Sequence, residues 1–222
     1  MTFHIITLFP QTFDGFTTQS IIGRAIDKKI IKIHFINPRD FAPGKYQSVD
    51  ARPYGGGKGM VMRCDILVKA LESLKPKPYT VLLSASGKKY NQQKARTLSK
   101  KRSLAIICGH YEGVDVRVEK FVDEVISIGD FVLTGGEIAA MAVIDSTTRL
   151  LPNVITKGSA QDESFAHNLL EYPQYTRPEV FRGLKVPKVL LSGNHKEIAA
   201  WRQKESLART KKFRSDLLKR SE

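Results

Sequence analysis

Cysteine, metal-ligand motifs and long hydrophobic runs are all scarce in this sequence of 222 residues. Its two cysteines, Cys64 and Cys108, cannot build a disulfide framework and form no CxxC pair. The five histidines show none of the short spacings at which zinc ligands occur, which argues against a zinc site. The longest uninterrupted apolar run covers only residues 138–144, far short of a membrane span.

The first residues also lack the basic segment of a secretory signal peptide. The sequence therefore predicts a soluble, cytoplasmic protein that has no membrane partner. Positive charge, in contrast, is abundant: 36 Lys and Arg against 22 Asp and Glu give a net charge of +14 at pH 7. A charge that large favours a polyanionic partner, nucleic acid before a membrane surface. The alternative is a well-solvated basic surface without such a partner.

The chain is long enough for one large domain or two small ones. Residues 1–152 alternate short β-rich runs with helical patterns, which predicts an α/β domain with a mainly parallel sheet flanked by helices. The expected strands are nearly continuous in Ile, Val and Leu, as in strands buried on both faces, and lie at residues 3–9, 31–36, 80–84, 104–108 and 124–128. The expected helices surround residues 21–26, begin after an N-cap at Asp65, and cover residues 136–150 before Pro152.

The character of the chain changes after Pro152. Residues 153–173 show no convincing periodicity and are interpreted as a flexible linker. Residues 174–222 carry 13 Lys and Arg against five Asp and Glu, and their apolar residues follow a helical spacing. This segment is therefore expected to form a small basic helical domain.

Three loops at the ends of expected strands are rich in glycine and small residues. They cover residues 83–87, 108–113 and 128–136. Ligands of parallel α/β sheets bind at the carboxyl ends of strands, and glycine lets the backbone approach them closely. Together the loops predict a pocket of peptide groups suited to an adenine-like heterocycle, although each loop alone could be a simple turn.

Other nucleotide and hydrolase motifs are absent. The run Gly55-Gly56-Gly57-Lys58-Gly59 matches neither GxGxxG nor a P-loop, and no G-x-S-x-G elbow is present. Residues 88–102 hold seven Lys and Arg and no acid, directly after the first small-residue loop. This stretch is either a solvated helix face or a surface that contacts phosphates beside the pocket.

Four motifs of this chain stand out together. They are Ser84-x-x-Gly87-Lys88, residues 109–115 (GHYEGVD), residues 127–137 (SIGDFVLTGGE) and residues 175–178 (YTRP). These motifs resemble those of the bacterial tRNA (guanine-N1)-methyltransferases of the SPOUT class. The similarity runs in the same order from Phe9-Pro10 to Trp201-Arg202, which is nearly the whole chain.

The resemblance implies a trefoil-knotted sheet that binds S-adenosylmethionine, and a homodimer whose active site is shared between subunits. It also implies methylation of N1 of the guanine at position 37 of tRNA, next to the anticodon, and a requirement for Mg²⁺. The domains would be residues 1–152 for the cofactor, 153–173 as linker and 174–222 for tRNA. By matching position, the cofactor contacts would be Leu83, Ser84, Gly109, Tyr111, Glu112, Ser127, Ile128, Gly129, Asp130, Phe131, Val132, Leu133, Gly135 and Gly136.

The resemblance also implies a pair of catalytic side chains. Guanine N1 must lose its proton before it attacks a methyl group, and a carboxylate can accept that proton. The family's carboxylate precedes Ser-Phe, which places it at Glu163, where aspartate is commoner; Asp162 is the alternative base. The family's arginine ends the long helix, which places it at Arg149, where a helix C-cap is the structural alternative.

Two further departures from the family pattern are Ala85-Ser86 in the first loop and His110 in place of an arginine. Neither removes a backbone contact or a carboxylate, so the enzyme is expected to be active. The sequence is also compatible with two other functions. One is a SPOUT enzyme that acts on a ribose hydroxyl or on ribosomal RNA, and the other is a basic RNA-binding protein that no longer uses its cofactor site.

Overall fold

The structure, a computed structural model, describes residues 1–156, 163–165 and 167–220. The chain divides into two compact units, Met1–Ile155 and Thr156–Glu222. In the described part of the chain, every helix is too short or too polar to cross a membrane.

The first unit is an α/β layer structure. Its strands are β1 (Thr2–Ile6), β2 (Lys32–Ile36), β3 (Asp50–Ala51), β4 (Val61–Met62), β5 (Tyr79–Lys89), β6 (Ser103–Cys108) and β7 (Glu124–Ser127). Its helices are α1 (Asp14–Thr18), α2 (Ser20–Asp27), α3 (Cys64–Glu72), α4 (Gln92–Ser99) and α5 (Glu137–Thr148). Short 3-10 helices cover Pro10–Phe13, Pro38–Phe41 and Val116–Phe121.

Five strands form one sheet in the order β2–β1–β6–β5–β7, and every pairing within it is parallel. The mainly parallel sheet predicted from the sequence is therefore confirmed. The chain places β6 between β1 and β5, and then passes beyond β5 to add β7 at the sheet edge. The carboxyl ends of β5, β6 and β7 consequently lie next to one another.

The centre of the sheet is buried on both faces, as its Ile- and Val-rich strands predicted, but the expectation is wrong for the edge strand β2, where Lys32, His34 and Phe35 are exposed. Along β6, Leu104, Ile106 and Cys108 pack on one face with apolar side chains of α2, α4 and α5. The alternate residues Ala105 and Ile107 pack on the other face with α3. All five side chains are fully buried. This two-sided burial anchors the strand ends from which the three small-residue loops emerge.

Two sequence expectations about this unit are wrong in detail. Asp65 is not an N-cap: α3 begins at Cys64 after an extended Arg63, whose guanidinium forms an ion pair with the Asp65 carboxylate at 2.7 Å. The first strand ends at Ile6 rather than at residue 9, because Pro10 starts a 3-10 helix. Proline has no N–H to give to a neighbouring strand, and its fixed φ suits the start of a helix.

The second unit contains β8 (Val180–Phe181), β9 (Leu184–Lys185), α6 (Lys188–Leu191), α7 (His195–Phe213) and a 3-10 helix at Ser215–Arg220. The long helix α7 covers most of the helical pattern expected in this segment. Strands β8 and β9 form a small antiparallel hairpin that the sequence pattern did not predict.

Part of the expected linker packs within this second unit. The Leu170 N–H donates to the Thr210 hydroxyl at 2.8 Å, and the Ser206 hydroxyl donates to the Leu170 carbonyl at 2.5 Å. The Arg202 guanidinium lies over the Tyr172 ring, 4.7 Å from its centroid. Residues 170–172 are therefore tied to one face of α7 by side-chain contacts.

Candidate active site

A cavity lies at the carboxyl edge of the sheet, where β5, β6 and β7 end. Its volume is about 260 Å³, and the loops after these three strands supply most of its lining. That volume is close to the lower end of the roughly 300–1,000 Å³ typical of small-molecule sites. The structure thus brings together the three small-residue loops that the sequence pattern singled out.

The first loop is an interruption within β5. Pairing between β5 and β7 breaks after Leu83 and resumes at Lys88, so residues 84–87 leave the ladder. A β-carbon added at Gly87 would lie 2.5 Å from backbone atoms of Ile126, so this close crossing of two chain segments requires glycine. The Ser84 and Ser86 hydroxyls are 2.9 Å apart and hold the loop in shape.

The second loop follows β6 and is held by β4. The Glu112 N–H donates to the Met60 carbonyl at 3.0 Å, and the Met62 N–H donates to the Gly113 carbonyl at 2.9 Å. Asp115 then caps the following 3-10 helix by accepting from the Arg117 N–H. Hydrogen bonds from the Arg117 guanidinium lower the pKa of the Asp115 carboxyl to about 2, so this cap is ionised at neutral pH.

The third loop leaves β7 at the sheet edge and returns to the end of β6. The Gly136 N–H donates to the Gly109 carbonyl at 2.9 Å, and His110 forms an isolated bridge with Gly135. A β-carbon at Gly136 would lie 2.7 Å from Cys108 Cα and 2.9 Å from Gly109 N. Because β5 lies between β7 and β6, this loop must cross the end of β5, and the crossing leaves room only for glycine.

A buried carboxylate, which sequence reasoning missed as a site residue, supports this crossing. Glu137 is 5% exposed; its Oε1 accepts from the Thr7 hydroxyl at 2.6 Å and its Oε2 lies 2.8 Å from His110 Nε2. It links the end of β1, the loop after β6 and the start of α5. The sequence did offer a sign of this role: Glu137 is an acidic residue at the first position of the most apolar helix, and a buried charge needs hydrogen-bonding or charged partners.

Cys108 lies beside this network and is chemically inert. Burial, with a smaller contribution from the Glu137 charge, raises the pKa of its thiol well above the usual range. The thiol therefore stays protonated at neutral pH, and Cys108 serves as a core residue.

Thirteen of the fourteen expected cofactor residues line the cavity. They are Leu83, Ser84, Gly109, Tyr111, Glu112, Ser127, Ile128, Gly129, Phe131, Val132, Leu133, Gly135 and Gly136. Asp130 is not among the lining residues, and its carboxylate forms an exposed ion pair with Lys89 at 2.8 Å. Lining residues that lie outside the sequence motifs include Glu119 and Ala139.

The expected catalytic side chains belong to different units. Arg149 in the first unit directly follows the last residue of α5, and its N–H donates to the Asp145 carbonyl at 3.0 Å. Glu163 belongs to the second unit, and Asp162 lies outside the described residues.

The chain is not extended at Glu163. Residues 163–165 form a bend and turn, in which Phe165 has a φ of +72° and its N–H donates to the Leu169 carbonyl at 2.7 Å. The Glu171 N–H donates to the Ser164 hydroxyl at 3.0 Å and closes the same turn. Because these two local hydrogen bonds close a turn, successive side chains here do not point to opposite sides as they would in an extended segment.

The basic stretch at residues 88–102 is partly neutralised. Lys89 pairs with Asp130, Lys94 pairs with Glu124, and the Lys101 ammonium lies 4.2 Å from the centroid of the Tyr79 ring. The other four cations, Lys88, Arg96, Lys100 and Arg102, form no ion pair with the described residues. Fewer positive charges are thus available to an anionic ligand than the sequence count suggested.

Comparison with known proteins assigns the family. A family model described as "tRNA (Guanine-1)-methyltransferase TrmD" matches residues 1–220. The chain belongs to the tRNA (guanine-1)-methyltransferase family. The resemblance inferred from the motifs at residues 84–88, 109–115, 127–137 and 175–178 is therefore confirmed.

Curated members of the tRNA (guanine-1)-methyltransferase family are similar over nearly their whole length. A tRNA (guanine-N(1)-)-methyltransferase of Carboxydothermus hydrogenoformans is 54% identical over 99% of this chain and 88% of the relative. Similarly named proteins of Caldanaerobacter subterraneus subsp. tengcongensis and Clostridium novyi are 53% and 54% identical, over 100% and 99% of this chain and 93% and 92% of the relatives. The family assignment therefore covers both units.

Proposed function

We propose that this protein transfers a methyl group from S-adenosylmethionine to N1 of guanine 37 of tRNA. The observation that carries the proposal is the convergence of three small-residue loops on one cavity, in a chain of the tRNA (guanine-1)-methyltransferase family. Ligand sites of parallel sheets lie at the carboxyl ends of strands, which is where this cavity is.

The cavity lining suits the chemical groups of S-adenosylmethionine. Apolar side chains such as Leu133 and Ala139 offer surfaces for the adenine ring, and the glycine-rich loops expose peptide groups that can hydrogen-bond to its edge. The carboxylates of Glu112 and Glu119, which also line the cavity, complement the positive charges of the sulfonium and amino groups. When bound, S-adenosylmethionine supplies an electrophilic methyl group.

We also propose that the sheet is knotted. The loop at residues 128–136 passes from β7 across the end of β5 and bonds to the backbone after β6. The glycine at position 136 permits the close crossing that such a path needs. True knots are rare in proteins, so this part of the proposal rests mainly on the SPOUT resemblance.

Glu163 and Arg149 carry the chemistry in this proposal. The Glu163 carboxylate takes the proton from guanine N1 and so makes that nitrogen nucleophilic. Negative charge then develops on the 6-oxo oxygen, where the Arg149 guanidinium stabilises it. Once N1 is methylated, the proton leaves through Glu163 to solvent, and the guanine is again neutral.

The homodimer and the Mg²⁺ requirement remain proposals. Val132, which lines the cavity, is 92% exposed, and Phe9, whose ring lies 4.8 Å from that of His110, is 44% exposed. These exposed apolar side chains offer a surface that a second subunit could cover. Among the residues that the structure describes, no group of three or more His, Cys, Asp and Glu side chains is placed to hold a metal ion. The Mg²⁺ proposal therefore rests on the family resemblance alone.

Two glycines of the third loop should respond differently to a bulky side chain. A β-carbon at Gly129 would collide with the ring of Phe131, which is 55% exposed and lines the same cavity. We expect Gly129→Val to push that ring into the cavity and raise the Kd for S-adenosylmethionine about 10- to 100-fold, as overpacking costs roughly 1–3 kcal/mol. Gly136→Val would instead collide with backbone atoms and should lower the melting temperature.

Calorimetric titration with S-adenosylmethionine and thermal unfolding of both variants check this expectation. A folded Gly129→Val protein that binds S-adenosylmethionine at wild-type strength would show that this loop is a turn without a role in cofactor binding.

The basic second unit should contact tRNA phosphates. Lys204 and Lys211 are exposed on α7, in a segment with a net charge of +8 over residues 174–222. Each phosphate contact contributes about −0.7 to −0.9 to the slope of log affinity against log salt concentration. We expect Lys204→Gln with Lys211→Gln to make that slope less steep by between one and two.

Lys75→Gln with Lys77→Gln, an equally exposed pair in the first unit, is the matched control and should leave the slope unchanged. Filter binding of a tRNA transcript over a series of salt concentrations gives both slopes. Equal slopes for the α7 variant and the wild type would place the phosphate contacts elsewhere.

Incubation with methyl-labelled S-adenosylmethionine and total RNA tests the proposed reaction. We expect label only in tRNA and only as 1-methylguanosine after digestion to nucleosides. Label on a ribose or in ribosomal RNA would identify a different SPOUT reaction. Absence of label from every RNA, with S-adenosylmethionine or tRNA still bound, would indicate a binding protein.

A further inference from the structure

A cluster of exposed cations lies at the edge of the sheet opposite the candidate active site. Lys28 and Lys29 precede β2, Lys32 begins β2, and Lys100 and Arg102 precede β6. All five residues are exposed, and none of them forms an ion pair with the part of the chain that the structure describes. We call these five residues the amino-edge cluster, because they lie where the parallel strands begin.

The amino-edge cluster is distant from the cavity. Strand β6 contains six residues, so its two ends are roughly 17 Å apart at about 3.3 Å per residue. Lys88 resumes the pairing of β5 directly after the loop that lines the cavity, whereas Lys100 and Arg102 end the same basic stretch at the start of β6. The end of the basic stretch therefore has a place in the fold that the cavity does not explain.

Backbone pairing brings the amino-edge cluster together from distant parts of the chain. Thr2 lies opposite Lys32 on one side and opposite Ser103 on the other. The Lys32 N–H donates to the Met1 carbonyl at 2.9 Å, and the Thr2 N–H donates to the Arg102 carbonyl at 3.0 Å. Since neighbouring strands are about 4.8 Å apart, the backbones of Lys32 and Ser103 are held roughly 10 Å from each other.

Positive charge exceeds negative charge along this part of the edge. Residues 24–34 and 95–105, which lead into β2 and β6, contain eight Lys and Arg and a single acid, Asp27. The far end of the sheet differs, because β7 follows Asp123, whose carboxylate accepts from the Thr80 N–H at 2.7 Å. The amino-edge cluster is therefore a local positive surface over β2, β1 and β6, and such a surface favours an anionic partner.

A pair of stacked histidine rings continues the amino-edge cluster along one face of the sheet. His4 in β1 lies opposite His34 in β2, and their ring centroids are 5.5 Å apart with 23° between the ring planes. Lys32 and His34 are two residues apart in β2, so they lie on the same face. His34 is exposed, and β2 is the edge strand. An accessible aromatic ring, packed against a second ring, thus lies beside the cations.

We propose that the amino-edge cluster and His34 form a second RNA-binding site, which takes single-stranded RNA. The His34 ring stacks on an unpaired base, and the cations contact the phosphates on either side of that base. Histidine is among the side chains on which unpaired bases stack, and aromatic rings with cations are the combination that binds single strands. This inference goes beyond the proposed function, because the surface lies at the opposite edge of the sheet from the candidate active site.

Binding of a short, fluorescent, single-stranded RNA to the full chain tests the charged part of the site. We expect Lys32→Gln with Arg102→Gln to make the slope of log affinity against log salt concentration less steep by about 1.4, since each phosphate contact of a single strand contributes about 0.7. Lys75→Gln with Lys77→Gln is the matched control, because it removes the same charge from the segment before β5, outside the amino-edge cluster. The control should leave the slope unchanged.

The ring is tested separately from the charge. We expect His34→Ala to weaken binding of the single strand about fivefold to tenfold, the lower part of the range for stacking of a base on an aromatic side chain. His34→Phe keeps a ring and should restore most of the affinity. An RNA duplex should bind equally to His34→Ala and to the wild type, because paired bases are not free to stack on a side chain. Calorimetry should give the same Kd for S-adenosylmethionine in all of these proteins.

A tRNA transcript identifies the source of the RNA that the site takes. If the site holds an unpaired segment of the tRNA, the variants will bind the transcript more weakly and the short RNA will compete with it. If the site holds a separate RNA, the variants will bind the transcript like the wild type and lose affinity only for the short RNA.

An unchanged slope in the Lys32 and Arg102 variant together with wild-type affinity of His34→Ala would overturn the inference. An equal loss in the Lys75 and Lys77 control would also overturn it, because the effect would then reflect net charge rather than a site. Failure of the proposed function has a different signature, in which the wild type binds the tRNA transcript without methylating it.

Discussion

Replacement of Glu163 by glutamine is expected to slow methyl transfer to tRNA by about 10²–10⁴-fold, the usual effect of removing a general base. Glutamine keeps the size and hydrogen-bonding capacity of the side chain but cannot accept the N1 proton. The turn at residues 163–165 is closed by hydrogen bonds of the Ser164 hydroxyl and the Phe165 N–H, which the substitution leaves in place. The variant should therefore fold and bind S-adenosylmethionine like the wild type.

Asp162→Asn is the matched control for this prediction. The position of Glu163 directly before Ser164-Phe165 fits the family pattern, so Asp162→Asn should stay within about tenfold of the wild-type rate. Single-turnover methyl transfer with saturating protein separates this chemical step from binding. The reverse ranking of the two variants would assign the proton transfer to Asp162.

Replacement of Arg149 by glutamine is expected to slow the same step by about 10²–10³-fold, comparable to the loss of one hydrogen-bond donor that stabilises an oxyanion. The proposed role of Arg149 belongs to its guanidinium. The hydrogen bond from the Arg149 N–H to the Asp145 carbonyl at the end of α5 is made by the backbone, so a change of side chain retains this donor and acceptor. Arg149→Lys should recover part of the rate, because it keeps the charge but loses the planar pair of donors.

Thermal unfolding of the Arg149 variants distinguishes the catalytic role from a helix cap. A charge at a helix C-terminus is worth typically about 0.3–1 kcal/mol, so a capping role predicts a small loss of stability and little loss of rate. A rate within tenfold of the wild type, together with a lower melting temperature, would show that Arg149 acts as a cap.

The sheet and the cavity were largely predictable because their signals are local. Apolar β-branched runs identify strands buried on both faces, and glycines directly after them identify strand ends, so the amino-acid pattern alone groups residues 83–87, 108–113 and 128–136. The order of the strands was not predictable, since no local signal states that β7 adds beyond β5. The crossing at Gly136 follows from that order.

The features of the site that could not be predicted from the sequence depend on contacts with residues distant in the chain. Glu137 is buried because Thr7 and His110 reach it from other elements, and Asp130 turns to Lys89 instead of the cavity. The turn at Glu163 needs the Glu171 and Leu169 backbone, which the pattern of residues 162–165 alone does not include. The count of Lys and Arg also overstated how many cations of residues 88–102 are available to an anionic ligand, because Lys94 pairs with Glu124 and Lys101 lies over the Tyr79 ring.

Primer extension along a methylated tRNA transcript tests the central claim most directly. A methyl group on N1 removes the donor that guanine uses in base pairing, so reverse transcriptase should stop immediately before position 37. We expect this stop only when S-adenosylmethionine and the wild-type protein are both present, and we expect no stop on a transcript that has adenine at position 37. A stop at another position, or methyl transfer without any stop, would contradict the account.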